Sequence, residues 1–175
     1  IFANRDCLHE TLILDNRVSA TSFNPDKNFV GSHFNTKFKL PENVTCLMLG
    51  SSFNKEVELH DKLVYLRFGI LYVKRIELPQ SLTHLYFESK SGEQLKLPPN
   101  LIHLCISRHY DIIPKKITCL EFDEGNIDDI KIPESVTNLK FGVYYCDDVK
   151  LSQKLPNVTH MTICSTMSED FILPE

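Results

Sequence analysis

The residues of this chain whose types and spacing could do chemistry are two histidines and two cysteines. His84, His103, Cys105 and Cys119 fall on three successive copies of a repeated phrase. Imidazole nitrogens and thiolates are the ligands that Zn²⁺ takes in a tetrahedron. His103 and Cys105 are two residues apart, so on a strand they point to the same face, as a Cys–His nucleophile pair would require. Each idea meets a physical objection. Adjacent in-register strands set ligands in a flat row, which is poor tetrahedral geometry, and no CxxC spacing supports a metal. A nucleophile also needs an oxyanion hole, and a flat sheet supplies no pocket for one. The expectation is therefore no catalytic residue, no metal and no cofactor. What remains is a set of side chains suited to contacting another protein: Tyr65, Arg67, His84, Tyr86, His103, Cys105, Glu121, Asn138 and Lys140. Tyrosine and arginine are the types enriched where binding energy concentrates.

The elements that must position these residues come from a phrase read six times. It stands at Leu40–Leu49 (LPENVTCLML), Leu59–Phe68 (LHDKLVYLRF), Leu78–Phe87 (LPQSLTHLYF), Leu97–Ile106 (LPPNLIHLCI), Ile113–Phe122 (IPKKITCLEF) and Ile132–Phe141 (IPESVTNLKF), with a worn copy at 158–163. The second leucine falls at 47, 66, 85, 104, 120 and 139, with Met161 in the last copy, so the steps are 19, 19, 19, 16, 19 and 22 residues. A period in that range marks a solenoid, in which each unit buries its apolar face only against its neighbours.

Aligned on this period, three columns are apolar throughout: Val44 to Val158, Leu47 to Met161, and Leu49 to Ile163. The last two columns are two residues apart, the period of a strand with one buried face. The alternate positions face outward and vary: Cys46, Tyr65, His84, His103, Cys119, Asn138, His160 in one column, and Met48, Arg67, Tyr86, Cys105, Glu121, Lys140, Thr162 in the next. A return segment carries its own apolar pairs, such as Val57 and Leu59 or Ile76 and Leu78, with a charged residue between. Proline follows at 41, 79, 98, 114, 133 and 174; it cannot donate to a ladder and so ends the returning segment. Threonines 45, 83, 118, 137 and 159 form a further column, read as a structural ladder. A 19-residue unit with this content has no room for a helix of ordinary length. The expected fold is mainly β: a right-handed, leucine-rich-repeat-like solenoid of about seven short coils with one curved parallel sheet and extended or 3₁₀ returns.

Residues 1–36 depart from the phrase and read as an N-terminal cap or degenerate first coil, with Leu12-Ile13-Leu14 as an edge strand; residues 37–175 read as the repeat solenoid. Phe171-Ile172-Leu173-Pro174 reads as the start of another unit. The chain's 175 residues suit one domain, and 42% hydrophobic with 24% charged is a water-soluble composition. A net charge of −4, with both signs intermixed, argues against nucleic acid as a partner. No apolar run reaches the roughly 20 residues of a membrane span. The six cysteines, at 7, 46, 105, 119, 146 and 164, lack a framework spacing and read as reduced thiols, which places the chain in the cytoplasm. Asp128-Asp129 and Asp147-Asp148 read as solvated corners, and the sequons at Asn43 and Asn157 fall inside the repeat phrase, where a match is accidental.

The phrase [LI]-P-x-x-[VL]-T-x-L-x-F, followed by Gly and then Phe-Asn, resembles the FNIP repeat, a relative of the leucine-rich repeat. Its marks here are Leu40-Pro41, Val44-Thr45, Leu47, Leu49-Gly50 and Phe53-Asn54, with Phe34-Asn35 one period earlier. Phe68-Gly69 and Phe141-Gly142 keep the Phe-Gly pair, while Ser91-Gly92 and Asn126-Ile127 replace the Phe-Asn pair in other units, and the units are shorter than is usual in that family. The resemblance implies a protein-interaction module of the kind found in amoebae and in the large DNA viruses that infect them. Its implied location is the cytoplasm, or the host cytoplasm or virion if viral. In that family such repeats sometimes follow an F-box that links them to a ubiquitin ligase; residues 1–36 do not resemble one. The reading is a scaffold that binds another protein through its outward sheet face. A ligase substrate-recognition module and a structural component of a larger assembly are the alternatives, and the coil ends offer a route to self-association.

Overall fold

The computed structural model describes residues 11–14, 34–87, 95–106, 113–124, 131–144, 155 and 157–163, with the backbone alone at 11–14, 123–124 and 143–144. Eight strands follow in chain order: β1 (Thr11–Leu14), β2 (Cys46–Leu49), β3 (Tyr65–Phe68), β4 (His84–Phe87), β5 (His103–Ile106), β6 (Cys119–Glu124), β7 (Asn138–Tyr144) and β8 (His160–Ile163). They form one sheet in sequence order, every neighbouring pair parallel. This is the expected solenoid, and β1 is the edge strand expected at Leu12-Ile13-Leu14. No helix occurs among the described residues. Cap positions 1–10 and 15–33, the Asp128 and Asp147 corners and residues 164–175 lie outside the described residues.

The columns read from the sequence are the register of the sheet. Leu12, Leu47, Leu66, Leu85, Leu104, Leu120, Leu139 and Met161 are successive partners across the strands. The short step preserves the pairing of His103 with Cys119, and the long step preserves that of Asn138 with His160. Both length changes are therefore absorbed outside the strands, where the core columns do not feel them. Among the described residues the register shifts between Phe122 and Glu124 on β6.

Each unit enters its strand through the same corner. The amide of the first core residue donates to the carbonyl three residues back: Val44 to Pro41, Leu82 to Pro79, Leu101 to Pro98, Ile117 to Pro114 and Val136 to Pro133. This is one hydrogen-bonded turn per unit, with the i-to-i−3 bond of a 3₁₀ turn. Where His60 occupies the proline slot, its backbone carbonyl plays the same part for Leu63. Its ring adds what proline lacks: Nδ1 accepts from the amide of Lys62 at 3.3 Å, so Nε2 carries the proton and donates to the carbonyl of Pro41 at 3.0 Å.

The next link joins coil to coil. The carbonyl of Thr45 accepts both the Val64 and Tyr65 amides, and the carbonyls of Val64, Thr83, Ile102, Thr118 and Thr137 repeat this for the following unit. The threonine hydroxyls use the same acceptors. Thr83 donates back to Val64, Thr118 to Ile102, Thr137 to Thr118 and Thr159 to Thr137, each at 3.3 Å. The threonine ladder therefore runs from side chain to backbone.

A second ladder explains the Phe-Asn pairs. Asn35 Oδ1 accepts the Asn54 amide at 3.0 Å, and Asn54 Oδ1 accepts the Val73 amide at 3.2 Å. The rings of Phe34, Phe53 and Tyr72 stack beside it, with centroids 5.9 and 6.1 Å apart. Amide and ring together close the far corner of the first coils. Burial pushes the Tyr72 hydroxyl up to about 12, with Glu56 adding to the shift. Gly69 sits where two coils touch closely, for a Cβ there would stand 2.3 Å from the Cα of Ser51. The strand columns and the return residues Leu40, Val57, Leu78, Ile113 and Ile132 make one continuous core. A fully buried leucine in it contributes about 2 kcal/mol.

Candidate functional site

The outward face opens at β3. On β2 the outward residues Cys46 and Met48 are both buried, whereas Tyr65 and Arg67 on β3 are half exposed. From there the pleat alternates as expected: Leu66, Phe68, Leu85 and Phe87 point into the core, and Tyr65, Arg67, His84 and Tyr86 point out.

Four rings from three strands are linked on this face. Tyr65 stacks on its register partner His84 at 6.0 Å between centroids and leans on Tyr86 at 5.4 Å. His103 lies 4.7 Å from Tyr86 and 5.7 Å from His84. The Arg67 guanidinium sits over the Tyr86 ring, 5.7 Å from its centroid, a cation–π contact. All four rings are half-buried, held by neighbours while keeping part of their surface in solvent. Beyond them, Glu121 and Lys140, register partners on β6 and β7, form an ion pair. Asn138 is half exposed beside them.

The surroundings keep the rings neutral. Burial holds His84 below the ordinary imidazole range. His103 is pushed down to about 4, first by burial, then by His84 and by the Lys140 ammonium. Tyr86 is pushed up by burial, and secondarily by Tyr65 and Glu121. The Thr83 hydroxyl lies 2.8 Å from His84 Nδ1 and gives its one proton to the Val64 carbonyl. It therefore accepts from Nδ1–H, which leaves Nε2 of His84 as the acceptor.

One expectation needs correction. Cys105 occupies its outward register position between Tyr86 and Glu121 but is only 2% exposed, because its short side chain lies below those larger neighbours. It can support the surface but offers little of it. The four residues weighed as metal ligands do not assemble: among the described residues no group of three or more His, Cys, Asp or Glu side chains is arranged to hold a metal ion. His103 has a near contact with Cys119 on the next strand, Sγ to Nε2 at 4.0 Å. Burial pushes the Cys119 thiol up, with Glu121 adding to it, which opposes formation of the thiolate that nucleophilic chemistry requires. A cleft lined by Ile132, Pro133, Val136, Leu155 and Val158 holds about 30 Å³, room for about one water.

Sequence columns identify neighbours across strands but not the diagonal contact of Tyr65 with Tyr86, which depends on ring reach. Also missed was the exposed apolar corner Ile70, Leu71 and Val73. The run of apolar residues between Gly69 and Lys74 was its available signal.

No family model matches the chain, and no curated protein matches it. Among solved structures, the crystal structure of CroV588, a circular LRR protein, is similar with 25% identity and a TM-score of 0.47. The likeness covers 81% of this chain and 24% of that one, so this chain spans about a quarter of the protein it resembles. No helix of the described residues is long and apolar enough to cross a membrane.

Proposed function

We propose that this chain is a protein-interaction scaffold and that its contact surface is the outward face of β3–β7. The observation that carries this reading is the four-ring cluster of Tyr65, His84, Tyr86 and His103, flanked by Arg67. Half-buried rings fixed by their neighbours lose little freedom on binding, which is the property of residues that concentrate binding energy. The repeat architecture supports the same reading, since solenoids of this kind generally serve as binding surfaces. Glu121, Asn138 and Lys140 form the polar margin of the face.

Residues 1–36 act as the cap of the solenoid, and the chain works in the cytoplasm, in the host cytoplasm or in a virion. The FNIP-like marks support an interaction module; ligase adaptor, particle component and self-association through the coil ends are narrower forms of the proposal. Affinity purification of the chain beside its Tyr86→Ala and Arg67→Ala variants tests it. A partner recovered with the wild-type chain and lost with both variants, at unchanged melting temperature, is the expected result. Recovery unaffected by either substitution would remove this face from the proposal. Ligase subunits among the lost partners would favour the adaptor, and particle proteins at fixed stoichiometry would favour the building block.

A further inference from the structure

The ring face has a second property, its spacing. The strands beneath it lie about 4.8 Å apart, so alternate strands repeat at about 9.6 Å. Tyr65 on β3 and His103 on β5 stand one such repeat apart, with Tyr86 between them on β4. A polyproline II segment advances about 3.1 Å per residue and three residues per turn, a repeat of about 9.3 Å. An α-helix repeats at about 5.4 Å and a β-strand at about 6.6 Å per side-chain pair, and neither keeps step with the strands.

Hydrogen bonding points the same way. β3, β4 and β5 are each paired on both sides, so their backbone groups are committed to the sheet. A segment lying across them finds no ladder to join. Its own N–H groups would lose water against the rings without gaining partners. Proline has no N–H to lose.

Charge agrees as well. Between Arg67 on β3 and the Glu121–Lys140 pair on β6 and β7, the described outward positions of β4 and β5 are the rings of His84, Tyr86 and His103 and the buried Cys105 thiol. Burial keeps the His84 and His103 imidazoles uncharged at neutral pH. An uncharged strip suits prolyl rings, and the guanidinium at its margin suits an acidic residue at one end of the ligand.

We propose that the ring strip of β3–β5 docks a proline-rich segment in the polyproline II conformation, lying across the strands with an acidic residue toward Arg67. This rests on the reading of the outward face as the contact surface and names the class of partner. The test is a selection from a random peptide display library on the intact chain, counter-screened on Tyr65→Ala and Tyr86→Ala, followed by calorimetric titration of decaproline. The expected result is enrichment of sequences with prolines three apart and with Asp or Glu at one end. Their binding, and that of decaproline, weakens about tenfold on each variant. Circular dichroism and unchanged melting certify that the variants are folded. Enriched peptides without proline that still need Tyr65 and Tyr86 would overturn the polyproline ligand and leave the contact surface standing. Peptides that bind the variants as well as the wild type, or no enrichment at all, would overturn both.

Discussion

The β3–β5 region and the β6–β8 region are built from the same phrase, yet they present different surfaces. In the first the pitch is a constant 19 residues, and every outward position but Cys105 is an aromatic or cationic side chain in ring contact. In the second the steps are 16 residues into β6, 19 to β7 and 22 to β8, and the outward residues are the Cys119 thiol, an ion pair, an amide and the exposed His160 and Thr162. The cores differ in parallel. Leu66, Leu85 and Leu104 are wholly buried, whereas Met161 and Ile163 on β8 are only partly so. Register is kept in both regions, so the difference lies in which side chains occupy the outward columns. The constant columns make the rod, and the rings on β3–β5 make the patch.

Stability measurements can break or sharpen this contrast. The largest effect belongs to Leu104→Asp, which places an unpaired charge in a fully buried column and should abolish cooperative melting by circular dichroism. Met161→Asp, at a partly buried site, should cost no more than about 2 kcal/mol; equal losses at the two sites would erase the difference between the regions. Gly69→Ala comes next, at about 2–3 kcal/mol in a denaturant titration, because the added methyl meets the backbone of Ser51.

The pH response of His103 follows. Its folded value, about 4, lies below the ordinary 6.5, so the unfolded chain binds the proton more readily. Its neutral form is favoured in the fold, and the contribution is complete above about pH 6.5. It is lost as pH falls from there to about 4. The expected loss is about 2 kcal/mol, discounted for the ring's residual exposure. His103→Gln should flatten that part of the profile. The smallest effect is Asn54→Ala, about 1 kcal/mol by the same titration, since it leaves the Val73 amide without the Asn54 carbonyl oxygen in the first coils only.

Much of this was legible because a strand's period of two and a coil's period of 19 act independently on each residue. Leu47, Leu66, Leu85 and Leu104 announce both at once. The outward face was legible as a list of neighbours but not as a surface. Whether Cys105 is reached by solvent depends on the reach of Tyr86 and Glu121 beside it, which a column does not encode. His60 stands in the proline slot, and its ring bonds to Pro41 and Lys62 show how it substitutes there, visible only once the preceding coil is in place. The direction of the threonine bonds was hidden for the same reason, because their acceptors are backbone carbonyls one coil away.

That direction has a consequence for how the molecule is made. At the entry corners, each coil donates its amides, and a hydroxyl where it carries threonine, to a carbonyl of the coil before it. A ribosome delivers the amino-terminal side first, so every new coil emerges onto acceptors already in place. Trimming the solenoid from its far end strands only carbonyls at these corners, which tolerate partial satisfaction, whereas trimming it from the near end strands amides, which do not. The solenoid is therefore polar in assembly as well as in sequence, and it grows most readily in the direction in which it is synthesised.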